Sequence, residues 1–417
     1  MTTRLLITVI LFGILGCTEP WTSAWAAGDE LDELRGWLAM PREHRPDLSS
    51  ESWATEGLGR DGAETARDLL WKDYCEGQMA SMDSLLESKQ VVDGKLTMRF
   101  DLRTFGEKPQ GGHSLYLSLH GGGGAPAGVN DSQWRNQQQL YTPTEGIYIS
   151  PRAPTDTWDL WHQSHVDGMF RQIIRALVMT GQVNADRVYV MGYSAGGDGV
   201  YQLGPRMADS WAAAAMMAGH PNDASALNLR NIGFAIHMGA LDSAYDRNDV
   251  AKKWGEELDR LQAADPQGYA HTTTLHEGKG HWMDRQDAVA LDYLATFTRN
   301  AAPRHVVWHQ DDVLRDRFYW LAIPTEAQKI GQQVIAIIDG QTLRIKTQDV
   351  SSLTVRLDDR LVNLDEPVSV VINDQEPMLG SPARDVRTLH QTMIDSGDRQ
   401  LMWSATIDWA NPVKPNE

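Results

Sequence analysis

The sequence predicts an α/β fold: a mostly parallel central sheet covered by helices, preceded by a helical N-terminal extension and followed by a small antiparallel β domain. Three observations carry this expectation. Short apolar runs alternate with helix-period segments between about residues 95 and 302, leucines recur at helical spacing before them, and closely spaced strand-like runs without long helices follow Pro303. At 417 residues the chain exceeds one ordinary domain of ~100–200 residues, so two large units and a small third are expected. The divisions fall at 1–26, 27–94, 95–302 and 303–417.

The chain opens with Arg4 and an apolar run over 5–15, the charged start and short greasy core of a secretory signal, and too short to span a bilayer comfortably. Two processing outcomes stay open. Ile14-Leu-Gly-Cys17 reads as a lipobox that would anchor the chain through Cys17, and Ala24-Trp-Ala26 reads as an ordinary cleavage site. Either leaves Cys75 as the single ordinary thiol, so no intramolecular disulfide is expected.

From 29 to about 86 the pattern is helical. Leu31, Leu34 and Leu38 share a face, Pro41 to Pro46 breaks it, and a second helix over 63–82 turns Leu69, Leu70, Tyr74 and Cys75 inward. Cys75 therefore reads as a small core residue.

Strand signals follow at 95–102 and 114–119, and the Gly-rich turn between them suggests neighbouring strands. Mostly apolar runs at 146–150, 187–191, 211–217, 232–237 and 270–275 suit strands buried on both faces. Helix-period segments at 166–180, 197–207, 250–263 and 288–298 lie between or after them, as parallel crossovers require. Beyond Pro303, runs at 318–323, 334–338, 343–345, 353–357 and 368–372 predict a sandwich-like β domain, with Asp339-Gly340 as a type I′ hairpin turn.

Chemistry concentrates in Gly192-Tyr193-Ser194-Ala195-Gly196, which follows an apolar strand and opens a helix. That context lets small residues form a strained turn and project the Ser194 hydroxyl, with the helix N-terminal amides facing developing negative charge. The bland alternative is a glycine turn that Ser194 merely caps. His120-Gly121-Gly122-Gly123-Gly124 follows another strand and allows backbone to approach a substrate oxygen, so an amide from Gly121, Gly122 or Gly123 is expected to pair with that of Ala195 as an oxyanion hole. The glycine run lacks the Lys-Ser/Thr ending of a phosphate loop.

A general base is expected late in the chain, and His281 stands in a loop after the strand run ending near Leu275. The acid that orients it is expected after the run ending at His237, where Asp242 comes directly after the strand, with Asp246 and Asp249 as competitors. Trp158 and Trp161 read either as a stacking wall for a sugar or aromatic acyl group or as loop packing. His120, Tyr193 and Trp282 complete the candidate substrate-binding set. His162, His165 and Asp167 have metal-ligand spacing, but without a second cluster or an HExxH motif no metal is assigned.

These motifs together resemble the α/β-hydrolase superfamily, and within it the secreted esterases that include feruloyl esterases, polyhydroxyalkanoate depolymerase-like enzymes and phospholipase/carboxylesterase-type proteins. The resemblance covers about residues 96–300 and rests on His120-Gly-Gly-Gly, 166–170, 186–197, Gly239-Ala-Leu-Asp242 and Gly280-His-Trp282. It implies an α/β-hydrolase fold, a Ser194, Asp242, His281 triad and no cofactor. Depolymerase-like members carry a Cys beside the oxyanion glycine and several disulfides, whereas this chain has Gly121 to Gly124, which favours a general carboxylesterase over polyester cleavage.

The expected partner is an ester-bearing small molecule or polymer, an acyl or feruloyl ester of a polysaccharide among them. A net charge of −18 argues against nucleic acid and anionic membranes. Two alternatives remain: a prolyl-oligopeptidase-type peptidase, or a surface polysaccharide-binding protein with an inactive hydrolase unit. The β domain is read first as a packing module, with glycan binding as the other possibility.

Overall fold

The computed structural model describes residues 29–411. The apolar run over 5–15, Cys17 and Ala24 to Ala26 lie outside the described residues.

Helix α1 (Asp32–Ala39) buries Leu34 and Trp37, and the Trp37 indole N–H donates to Pro46 O at 3.0 Å. Helix α2 (Arg60–Ser88) runs further at both ends than the apolar spacing predicts, and stops where Lys89 adopts φ 52° and caps Leu85 O. Cys75 is half-buried along α2, and burial pushes its thiol up to about 11, as a packed rather than reactive sulfur requires.

The main sheet has eight strands: β1 (Gln90–Asp93), β2 (Leu96–Phe105), β3 (His113–Leu119), β4 (Gly146–Pro151), β5 (Val183–Tyr193), β6 (Ala213–Met217), β7 (Gly233–Gly239) and β8 (His271–His276). Their spatial order is β1-β2-β4-β3-β5-β6-β7-β8, parallel throughout except at β2, which is antiparallel to both β1 and β4. The fold is thus mixed α/β with a large, mostly parallel sheet. Strands β3, β4, β6 and β7 are buried at every position, which explains their unbroken apolar runs.

Two expectations are corrected here. Strands β2 and β3 are not neighbours, because β4 lies between them. The intervening glycines serve close packing instead: a Cβ on Gly112 would sit 2.7 Å from Asn184 N. Strand β1 also lies upstream of the first predicted strand.

Helices α3 (Ala127–Leu140), α4 (His165–Met179), α5 (Ala195–Arg206), α6 (Arg247–Ala264) and α7 (Ala290–Ala295) accompany the sheet. Helix α3 escapes apolar periodicity because its buried residues are Asn130 and Gln137. Helix α5 packs on β5, β6 and β3, the middle of the sheet.

Beyond Pro303 two smaller sheets form. One contains β9 (His305–His309), β12 (Gln333–Asp339), β13 (Thr342–Gln348), β15 (Val368–Ile372) and β16 (Met378–Gly380). The other contains β10 (Arg317–Phe318), β11 (Leu321–Ala322), β14 (Ser352–Leu357) and β17 (Ala405–Ala410). The expectation of a small antiparallel β domain without long helices holds in part: most pairings are antiparallel, but β13 and β15 pair in parallel, and α8 (Val386–Ser396) intervenes. The run over 318–323 is likewise two strands, broken where Tyr319 takes φ 53°. The 333–348 hairpin has Gly340 and Gln341 as its loop; Asp339 pairs with Thr342, and the positive φ falls on Gly340, so the type I′ assignment to Asp339-Gly340 does not hold.

The N-terminal helices and the C-terminal region share one hydrophobic cluster, with Leu34, Trp37 and Leu70 against Val386, Leu389 and Met393. The β region joins the main sheet in a second, continuous core running from Val91 to Trp409. Polar ties cross the same seams, including Arg67 to Asp358 at 2.9 Å and the Tyr319 hydroxyl to Ala208 O at 2.9 Å.

Candidate active site

Strand β5 ends at Tyr193 and α5 begins at Ala195, so the whole turn between them is Ser194, held at φ 59°, ψ −124°. A side-chain-bearing residue is strained there. The flanking glycines make the turn possible, since a Cβ on Gly192 would stand 2.2 Å from Gly196 O, and one on Gly196 would stand 2.1 Å from Leu119 O. The turn is tied to the next strand by Ser194 N donating to Met217 O at 2.9 Å.

The Ser194 hydroxyl lies 2.9 Å from His281 Nε2, and His281 Nδ1 lies 2.7 Å from Asp242 Oδ2. A neutral imidazole donating from Nδ1 to the carboxylate has Nε2 free to accept the serine proton. Asp242 is buried, and its loop is fixed by Asp242 N to Gly239 O and by Asn248 N to Asp242 O. The competing Asp246 and Asp249 are exposed at the start of α6 and face no catalytic candidate at hydrogen-bond distance.

The loops carrying Asp242 and His281 touch directly: a Cβ on Gly239 would lie 2.0 Å from Gly280 O, and Leu241 N donates to Lys279 O at 2.8 Å. Tyr193 then clamps the His281 loop from the serine side. Its hydroxyl donates to His281 O at 2.6 Å and accepts from Met283 N at 3.1 Å.

The glycine loop after β3 lies against this turn, with a hypothetical Gly121 Cβ only 3.1 Å from Ser194 Cβ. Gly122 has φ 111° and no room for a side chain, because a Cβ would meet Asn130 Oδ1 at 2.1 Å. The Gly123 amide donates to that same oxygen at 3.0 Å, and Asn130 is held by Asp156 at 2.8 Å. Among the described residues, the amides of Gly122 and Ala195 have no protein acceptor, and both residues border the cavity beside Ser194. Gly123 is thereby corrected from free oxyanion donor to a brace for the loop.

Three candidate substrate-binding residues prove to be internal supports. His120 is fully buried; burial lowers its imidazole to about 4, and the neutral ring donates from Nδ1 to Gly121 O and accepts from Ala153 N at 3.1 Å. Trp161 is also fully buried, with its indole N–H on His120 O at 2.9 Å. Tyr193 has its hydroxyl committed to the His281 loop. By contrast Trp158 is 67% exposed, lines the cavity and rests edge-on against His162. Trp282 is half-exposed and packs beside Tyr193 outside the residues lining that cavity.

Asp167, one of the metal-spaced residues, is bound instead to the Arg206 guanidinium at 2.7 Å. Among the described residues, no group of three or more His, Cys, Asp or Glu side chains is arranged to hold a metal ion, and no helix is long and apolar enough to cross a membrane.

The cavity measures about 430 Å³, with Gly122 to Gly124 and Trp158 on its wall together with Asp198, His220, Asn222, Tyr245 and Arg247. These last five were not identified from sequence. One signal pointed to their neighbourhood: ligands of parallel sheets bind outside the carboxyl ends of strands, where the loop after β6 carries His220 and Asn222 and the loop after β7 carries Tyr245 and leads into Arg247, the first residue of α6. Burial pushes the Asp198 carboxyl up to about 6, although it accepts from His220 N at 2.6 Å.

No family model matches the sequence, and no curated protein matches it. Solved structures similar to it include a thermostable esterase, 17% identical with a TM-score of 0.37, the match covering 50% of this chain and 62% of that one. Another is a feruloyl esterase module from Clostridium thermocellum complexed with sinapinate, at 15% identity, a TM-score of 0.36, and coverage of 50% and 86%. A carboxylesterase from Mesorhizobium loti gives 16% identity, a TM-score of 0.35, and coverage of 50% and 99%.

Proposed function

We propose that the chain is a serine carboxylic-ester hydrolase working through an acyl-enzyme, with Ser194 as nucleophile, His281 as general base and then acid, and Asp242 as the group orienting the imidazole. The observation that carries this reading is the unbroken line from Asp242 Oδ2 through His281 to Ser194 Oγ, at 2.7 and 2.9 Å, on a strained turn beside an open cavity.

Ser194 Oγ attacks the ester carbonyl carbon as its proton passes to His281 Nε2. The tetrahedral oxyanion accepts from the Gly122 and Ala195 amides, each such donor contributing roughly 3–4 kcal/mol to transition-state stability. His281 returns the proton to the departing alcohol, leaving the acyl group on Ser194. Water then enters, gives a proton to His281 and releases the acid, regenerating the hydroxyl. Asp242 stays ionised throughout and offsets the imidazolium charge.

The chain is further proposed to be exported, on the strength of Arg4 and the apolar run over 5–15, with an acyl or feruloyl ester of an extracellular or periplasmic polysaccharide as its substrate. Trp158 supports that choice as an exposed flat face at the cavity mouth.

Labelling with a fluorophosphonate tests the mechanism. Covalent modification located at Ser194, with parallel loss of aryl-ester hydrolysis, is the expected result. A folded protein that neither reacts nor hydrolyses a panel of acetyl, feruloyl and longer acyl esters would leave the binding-protein alternative in its place.

A further inference from the structure

We propose that Arg247 is an anion-recognition residue of the Ser194 cavity and that the ester cleaved there carries a carboxylate, on its acyl or its alcohol part. This inference rests on the serine ester hydrolase reading and names a substrate class for it.

Arg247 lines the same cavity as Ser194. Its Nε is buried with no hydrogen-bond partner, its one hydrogen bond is a long contact from a terminal nitrogen to Ala244 O at 3.4 Å, and it forms no ion pair among the described residues. A guanidinium held this way is costly unless something else accepts from it. The backbone is bent to hold it there. Tyr245 and Asp246 are consecutive left-handed residues at φ 56° and 55°, and the guanidinium stacks 4.8 Å over the Tyr245 ring. Stacking occupies one face and leaves the terminal N–H groups for a ligand in the guanidinium plane, the geometry that matches a carboxylate.

The rest of that wall is also rich in donors. Asn222 N donates to His220 Nδ1 at 2.9 Å and burial disfavours the charged ring, so the His220 proton sits on Nε2 as a donor. The Asn222 side-chain amide has only a long contact, at 3.4 Å, to His220 O.

The one carboxylate on the wall, Asp198, decides which anion fits. It is beyond ion-pair distance of Arg247, accepts from His220 N, and brings the formal charge of the pair to about zero when ionised. With Asp198 ionised, a singly charged carboxylate leaves these groups at about −1 and a doubly charged phosphate at about −2, so the carboxylate meets the smaller repulsion beside Asp198. With a net charge of −18 the chain repels anions at long range, so recognition of one depends on short-range contacts such as these.

The test uses the full chain and two substrate pairs that differ only by carboxylate against carboxamide: aryl hemiglutarate with aryl glutaramate, and the acetate esters of 4-hydroxybenzoate and 4-hydroxybenzamide. In at least one pair kcat/KM is expected to favour the carboxylate by about tenfold or more. Arg247→Gln is expected to reduce that ratio to within about threefold, and Arg247→Lys to restore part of it. Equal rates within both pairs, or a preference that survives Arg247→Gln, would overturn the inference.

Fluorophosphonate labelling of the same preparation separates the two claims: labelled Ser194 without carboxylate preference sinks the role of Arg247 alone, while folded protein with neither labelling nor turnover sinks both. Should Arg247→Gln not fold, protection of unmodified protein from labelling decides. Protection by 4-acetamidobenzoate but not by 4-acetamidobenzamide supports the inference, and equal protection by both overturns it.

Discussion

The two ends of α5 carry buried charge and hydrogen-bonding groups arranged to opposite ends. At its C-terminal end Arg206, 5% exposed, meets Asp167 through Nε and a terminal nitrogen at 3.1 and 2.7 Å and donates to His162 O at 2.8 Å. At its N-terminal end Ser194 occupies a strained backbone position, and among the described residues the Ala195 amide has no protein acceptor and Arg247 across the cavity forms no ion pair. Paired groups with little access to water hold the helix against α4 and the loop that precedes it. Groups left without partners beside a 430 Å³ cavity are the ones available to a substrate.

Changes at the two ends should therefore fail in different ways. Ser194→Ala is expected to lower kcat by at least about 10⁴-fold while leaving the thermal transition in place, as steady-state kinetics and calorimetry would register. Asp167→Ala should do the reverse. It strands Arg206 as a buried, uncompensated cation, costing roughly 3–5 kcal/mol of stability in denaturant titration, with kcat/KM at 25 °C held within about threefold. A loss of activity at full stability in Asp167→Ala would break the division between the two ends.

Gly122→Ala should cost about 10²-fold in kcat, because the methyl group meets Asn130 Oδ1 and displaces an oxyanion donor. The smallest effect concerns Asp198, which lies one turn into α5. Its folded carboxyl titrates at about 6, above the 3.8 of the unfolded chain, because burial disfavours the charged form. The penalty is thus fully present above pH 6 and relieved as pH falls toward 3.8. Asp198→Asn should raise stability by about 1–2 kcal/mol at pH 8, and that gain should vanish by pH 4, as melting temperatures across the range would reveal.

The same contrast explains what could be read from sequence. Ser194, Asp242 and His281 were legible because each follows a strand end in a context that short apolar runs and glycines mark out. Helix α3 was not, since it buries Asn130 and Gln137 where apolar periodicity looks for leucines. Helix α8 lay hidden among strand-like runs although Val386, Leu389 and Met393 keep helical spacing.

Direction was harder to read than proximity. His120, Trp161 and Tyr193 belong to the site's neighbourhood, yet each turns inward to hold a loop, and residue type does not distinguish an aromatic ring that faces a ligand from one that packs. Arg247 was illegible for another reason: its place depends on Tyr245 and Asp246 adopting left-handed backbone, which neither residue type announces.

The proposed mechanism turns on acylation of Ser194. Intact-mass spectrometry of the protein quenched during turnover of a slowly deacylating aryl ester tests this most directly. A mass increase equal to the acyl group is expected, mapped to the peptide bearing Ser194 and absent from Ser194→Ala. Hydrolysis that proceeds at an undiminished rate in Ser194→Ala, or an acyl group found on another residue, would contradict it.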